Sequence, residues 1–84
     1  MAKRVRMWAL STCGWCKKTK KFLDDEGVPY ECTDVDLLPP EDKQAAREEL
    51  STFNPKRSYP TVVVGDDEVV RGYDIARLKE LLEL

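Results

Sequence analysis

Apolar and polar residues alternate from Lys3 to Leu10, with Val5, Met7 and Ala9 on one side, and this period of two predicts a first β-strand. From Cys13 to about Glu26 the period becomes helical: Cys16, Thr19, Phe22 and Leu23 recur on one face while the lysines fall mostly on the others, and Gly27 with Pro29 supplies the stop. Tyr30 to Asp36 reads as a short second strand, with Tyr30 and Cys32 alternating and Val35 a candidate third member, before Pro39-Pro40 breaks it. A second helix opens with Glu41 and Asp42 near its positive end, presents Ala45, Ala46, Leu50 and Phe53 as its apolar stripe, and closes at Asn54-Pro55. Thr61-Val62-Val63-Val64 is β-branched throughout, Gly65-Asp66-Asp67 supplies a turn, and Glu68 to Arg71 is the return strand of a hairpin. Gly72 ends that strand, Asp74 is a good N-cap, and Ile75, Leu78, Leu81 and Leu82 form the buried face of a last helix.

The resulting order, βαβαββα, predicts an α/β fold: a four-stranded mixed sheet with three helices on its two faces. A chain of 84 residues buries one modest core, so residues 1–84 are expected to form a single domain. Repeats, low-complexity stretches and linkers are absent from the sequence. Trp8 fits either the core or an edge, and Cys32, isolated in its strand, is expected to be a small buried hydrophobe.

Composition narrows the function. Apolar residues make up 42% and charged residues 36%, the balance of a globular, well-solvated chain. There is no histidine, which removes Cys-His and Ser-His-Asp catalysis and the ligands that most zinc and copper sites use; no resident metal is expected. The net charge of −2 conceals an asymmetry, because Lys3, Arg4, Arg6, Lys17, Lys18, Lys20 and Lys21 precede every acid in the chain. That basic third lacks interleaved aromatics, so nucleic acid is not an expected partner. No apolar run is long enough for a secretory signal or a membrane span, and a cytoplasmic location without membrane attachment is the expectation.

The chemistry rests on Cys13-Gly14-Trp15-Cys16, placed between the first strand and the first helix, with Ser11-Thr12 offering hydroxyls to the loop or the cap. Two thiols at this spacing can close a disulfide without unfolding the domain. Three cysteines, an odd number, argue against a secreted disulfide scaffold, and a CxxC beside a βαβ pattern points to redox chemistry, although half of a metal site shares the spacing. Cys13, at the helix N-terminus where free N–H groups and the helix dipole favour a thiolate, is the expected attacking sulfur. Cys16, one turn on and set against the body of the domain, is the expected resolving thiol. Lys17 and Lys18 add positive potential, and Trp15 is expected to face outward beside the sulfur, where a partner meets it. The lysines of this helix also fit a simple solvated face.

Taken together, the strand, the CxxC at a helix start, the second helix, Tyr59-Pro60 opening a β-branched strand and Gly72-Tyr73-Asp74 before the last helix resemble a glutaredoxin of the thioredoxin-fold superfamily over nearly the whole chain. The resemblance implies a thioredoxin fold and a cis Tyr59-Pro60 bond facing the cysteines, where an extended peptide or the cysteinyl backbone of glutathione pairs with the chain. It implies a dithiol–disulfide oxidoreductase that reduces protein disulfides through the redox-active pair Cys13 and Cys16. Substrate or glutathione contacts then fall on Thr12, Trp15, Lys17, Arg57, Tyr59, Pro60, Gly72, Tyr73 and Asp74, with Arg57 at a position that meets the glycine carboxylate and Asp74 at one that holds the γ-glutamyl end. Leu10, Arg71 and Ile75 depart from the family pattern, and Cys-Gly-Trp-Cys replaces its usual Cys-Pro-Tyr-Cys. The implied partners are disulfide-containing protein clients, with glutathione or a thioredoxin-reductase-type enzyme as reductant, acting on a monomer without a permanently bound cofactor. The alternative is a glutathione-dependent [2Fe–2S] glutaredoxin dimer using Cys13 of each protomer, since Gly14-Trp15 resembles the pattern of cluster-binding members.

Overall fold

Four strands pair edge to edge in the computed structural model, which describes residues 4–56 and 58–84. They are β1 (Val5–Ala9), β2 (Glu31–Asp34), β3 (Thr61–Val64) and β4 (Glu68–Arg71), in the sheet order β2-β1-β3-β4. β1 and β2 run parallel, with Met7 opposite Cys32, so the connection between them must cross over, and the helix α1 (Gly14–Asp25) makes that crossing. β3 is antiparallel to β1, with Met7 opposite Val62, and β4 returns antiparallel to β3 through the turn at Gly65, whose φ of 70° suits a residue without a Cβ. The helices α2 (Pro40–Phe53) and α3 (Ile75–Leu82) complete the order βαβαββα.

Alternation along the strands divides the core into two layers. Val5, Met7 and Ala9 of β1, Val62 and Val64 of β3 and Val70 of β4 face one side, where Cys16 and Leu23 of α1 and Leu78 and Leu81 of α3 cover them. Trp8 and Val63 face the other side against Leu50 of α2 and Val35, with Phe53 and Ala46 packed around them. Trp8 is therefore a core residue. Because β3 is central and covered on both faces, all four of its residues are buried, which is why its sequence is an unbroken apolar run with one threonine. Each aliphatic side chain buried in these layers contributes about 1.5–3 kcal/mol.

Three expectations require correction. The second strand covers Glu31–Asp34 rather than Tyr30 to Asp36, and Val35–Leu37 forms a single 3-10 turn that tucks Val35 under the sheet. Cys32 is exposed, not a buried hydrophobe, because β2 is an edge strand and neither core layer takes a residue from it. Ala45 is exposed, and α2 contributes only Leu50 as a fully buried side chain. The first strand begins at Val5, while Lys3 lies outside the described residues. No described helix is long and apolar enough to cross a membrane.

Candidate active site

The loop leaving β1 turns sharply into α1, with the Cys13 N–H donating to the Leu10 carbonyl at 3.1 Å. The Asp36 carboxylate secures that turn from the 3-10 segment: it accepts from the Ser11 N–H at 2.9 Å and from the Ser11 hydroxyl. These contacts hold the Asp36 carboxyl below its ordinary value of 3.8. Cys13 then caps the helix. Its backbone is extended (φ −82°, ψ 118°), and its Sγ accepts from the Cys16 N–H at 3.2 Å, the position a serine or aspartate oxygen takes in an ordinary N-cap. The Ser11 hydroxyl goes to Asp36 instead, and Thr12 is exposed.

The two thiols have different environments. Cys13 is half-buried at the helix terminus, whereas Cys16 is wholly buried against the sheet, and both are unpaired as free cysteines. Burial, and then the hydrogen bond with Cys13, push the Cys16 thiol from 9.0 up to about 12, against a smaller opposing contribution from the backbone at Leu10. Cys16 is accordingly a neutral thiol at physiological pH while Cys13 remains reduced.

Beside the thiols lies a groove of about 250 Å³ lined by Trp15, Tyr59, Gly72 and Tyr73. Trp15 and Tyr73 are 56% and 43% exposed, and their rings pack with centroids 5.0 Å apart. The Lys18 ammonium stands 4.6 Å above the Trp15 ring, a cation–π contact. Tyr59 and Cys13 pack on the same core layer. The Tyr59–Pro60 peptide bond is cis, and the Pro60 carbonyl accepts from the Gly72 N–H at 2.8 Å, which joins the entry of β3 to the exit of β4 beneath the groove. Gly72 has φ 80°, a left-handed conformation that other residues adopt only with strain.

Trp15, Tyr59, Gly72 and Tyr73 thus line one groove, with Pro60 buried and Lys17 exposed on the helix that begins at the thiols. Asp74 caps α3, accepting from the Arg77 N–H at 3.0 Å, so one of its oxygens is already engaged in the fold. Arg57 lies outside the described residues.

Two supporting devices escaped the sequence reading. One is the Asp36–Ser11 clamp. The other is a buried polar knot in which the Asn54 amide Nδ2 donates to Ser58 Oγ at 2.9 Å and to Thr61 Oγ1 at 3.0 Å, while the Thr61 hydroxyl donates to the Ser58 carbonyl at 2.7 Å. Asn54 is 1% exposed, and its Oδ1 has no partner among the described residues. The knot shapes the segment that delivers Tyr59 and Pro60, and the only signal for it was an asparagine at a helix end. Cys32 stands apart from the site on β2; the residue is exposed, and partial desolvation of its sulfur beside the Lys20–Asp34 ion pair shifts its thiol upward. Among the described residues, no group of three or more His, Cys, Asp or Glu side chains is placed to hold a metal ion.

Comparison with known proteins gives this arrangement relatives. The family model described as Glutaredoxin matches residues 5–70. The crystal structure of Methanosarcina acetivorans methanoredoxin superposes with a TM-score of 0.93 at 43% identity, covering 96% of this chain and 85% of that one. A glutaredoxin from Archaeoglobus fulgidus superposes with a TM-score of 0.89 at 40% identity, covering 100% of this chain and 89% of that one. An uncharacterized glutaredoxin-like 8.6 kDa protein of a rubredoxin operon in Clostridium pasteurianum is 27% identical over 79 residues, 94% of this chain and 97% of its own length. The architecture is the thioredoxin fold of these neighbours.

Proposed function

The chain belongs to the glutaredoxin family, and on that premise we propose that it is a dithiol–disulfide oxidoreductase that reduces disulfides of protein clients. The observation that carries the reading is the inequality of the two sulfurs: one is half-buried at a helix N-terminus, the other buried and held as a neutral thiol. A redox role is what the family and the adjacent cysteines support; the order of events follows from their environments.

In the first step the Cys13 thiolate attacks one sulfur of the client disulfide. The client S–S bond breaks, a bond forms from Cys13 Sγ to that sulfur, and the other client sulfur leaves as a thiolate that takes a proton from solvent. Forming the mixed disulfide removes the hydrogen bond and the charge by which Cys13 raises the Cys16 thiol. Cys16 then loses its proton and attacks Cys13 Sγ, which closes the Cys13–Cys16 disulfide and releases the second client thiolate. Two electrons have passed to the client. A thiol reductant returns them: either two molecules of a small thiol such as glutathione, which leave as their disulfide, or an NADPH-dependent reductase of the thioredoxin-reductase type. The groove with its cis Tyr59–Pro60 edge is suited to an extended backbone laid beside the sulfurs.

The test is re-reduction of the oxidised protein, followed by the fluorescence of Trp15 between the cysteines, with glutathione in one arm and a thioredoxin reductase with NADPH in the other. Rapid reduction by glutathione identifies a functional glutaredoxin. Response only to the reductase identifies a thioredoxin-like donor on this scaffold. If neither arm restores a dithiol able to reduce a protein disulfide, the reading is overturned.

A further inference from the structure

Arg4, Arg6, Lys20 and Lys21 each meet a carboxylate: Arg4 with Glu31 at 2.9 Å, Arg6 with Glu49 at 3.6 Å, Lys20 with Asp34 at 2.9 Å and Lys21 with Asp25 at 3.0 Å. Lys17 and Lys18, the two cations that follow Cys16 directly, meet none among the described residues, and Lys18 is drawn over the Trp15 ring at the rim of the groove. Among the described residues, the charge of the basic third is therefore neutralised everywhere except beside the thiols.

The same holds across the groove. A second cavity, of about 300 Å³, is lined by Asn54, Pro55, Lys56 and Arg71. Arg71 directly precedes Gly72 of the groove in the chain, and its side chain turns towards the end of α2, so this cavity lies on the far side of the β3–β4 edge from the thiols. The Arg71 guanidinium donates to the Phe53 carbonyl at 3.0 Å, a neutral partner that leaves its charge uncompensated. Among the described residues, neither cavity is lined by an acid; Asp74, which follows Tyr73 and caps α3, keeps its charge and stands at the groove's α3 end. In a chain of net charge −2, an apolar groove with Lys18 at its rim and the cations Lys56 and Arg71 in the adjoining segments of chain is a local feature with its own field.

We propose that the preferred clients are protein disulfides whose cysteine is followed or preceded by an apolar residue and flanked on both sides by carboxylates. The apolar side chain fills the space between Trp15, Tyr59 and Tyr73. One carboxylate meets Lys17 and Lys18, and the other meets Lys56 and Arg71. This inference rests on the oxidoreductase reading above and adds to it the class of client. Exposed charges act here mainly on the encounter, so the preference is expressed as a faster association that salt weakens.

The experiment uses the pre-reduced protein in stopped flow against three disulfide-linked peptide dimers that share one apolar residue beside the cysteine and carry Glu, Gln or Lys on both flanks. The expected second-order rate constants fall in the order Glu, Gln, Lys, with about a tenfold span at low ionic strength that shrinks to about twofold at 0.5 M salt. In the double variant Lys18→Glu with Arg71→Glu, the rates are referred to the Gln peptide in the same protein, and the order inverts. Equal rates for the three peptides, or an order that salt and the double variant leave unchanged, overturn the proposal. Reduction of a general protein disulfide, such as that of insulin, with no peptide reduced also overturns it while leaving the oxidoreductase reading in place. No reaction with any disulfide overturns both.

Discussion

The inequality of the two thiols can be measured directly by competitive alkylation of the reduced protein. Cys16 is buried, and its thiol is pushed from 9.0 up to about 12. Only the thiolate reacts with iodoacetamide, so at pH 7 a thiol raised that far presents about a thousandth of the reactive form of an ordinary cysteine, before any steric protection is counted. In the assay, a limiting amount of iodoacetamide reacts with the reduced native protein for a range of times. The reaction is stopped with acid, and tandem mass spectrometry locates the label, since Cys13 and Cys16 share one tryptic peptide. Restricting the analysis to singly labelled molecules keeps Cys13 reduced in every molecule scored for Cys16. The expected result is label on Cys13 and none detectable on Cys16 until the protein is denatured, when both react alike. Native labelling of Cys16 at a rate within about tenfold of that of Cys13 would refute the assignment of roles.

Three further outcomes follow from other groups. Asn54→Asp replaces the two donors of the buried knot with an acceptor-only carboxylate facing two hydroxyl oxygens, and should lower stability by about 3 kcal/mol or more in a urea titration with unchanged slope; a loss under about 0.5 kcal/mol would mean that the knot contributes nothing. The raised Cys16 thiol binds its proton more tightly in the folded state, so stability present below pH 9 declines as pH rises through 9 towards 12, and this part of the decline should disappear in Cys16→Ser. The depressed Asp36 carboxyl works in the opposite sense: its contribution is present above 3.8 and is lost as pH falls further. The difference in stability between the native protein and Ser11→Ala should therefore be measurable at about pH 6 and vanish in strong acid; a difference independent of pH would show that Asp36 does not act through Ser11.

The patterns were strong enough to place the four strands and three α-helices, because α1 presents one clear face to a core layer and the central strands β1 and β3 are rich in apolar residues; the 3-10 turn at Val35–Leu37 was read in part as strand. Boundaries and edges were less legible. Cys32 alternates correctly for a strand, but a pattern cannot tell a central strand from an edge, and β2 is an edge. Ala45 was read into the apolar stripe, yet it lies five residues from Leu50, off that residue's face of the helix, and alanine is equally at home on the solvated side where α2 puts it. At the site, Cys13, Cys16, Trp15, Tyr59, Gly72 and Tyr73 were legible because the motif order fixes their place in the topology. The Ser11–Asp36 clamp and the Asn54 knot join residues 25 and 7 positions apart through side-chain hydrogen bonds, and no local period encodes such a pairing. Lys17 and Lys18 were visible as part of a charge excess in the first third of the chain, but which of those cations stay unpaired depends on carboxylates brought in from β2, α2 and the end of α1.

That Cys13 attacks and Cys16 resolves is tested most directly by trapping the intermediate. Cys16→Ser and Cys13→Ser are each reduced, mixed with a peptide disulfide, quenched in acid and weighed by intact-mass spectrometry. A mixed disulfide should accumulate on Cys13 in Cys16→Ser and be nearly absent from Cys13→Ser. Comparable trapping in Cys13→Ser, through either Cys16 or the exposed Cys32, would contradict the assignment.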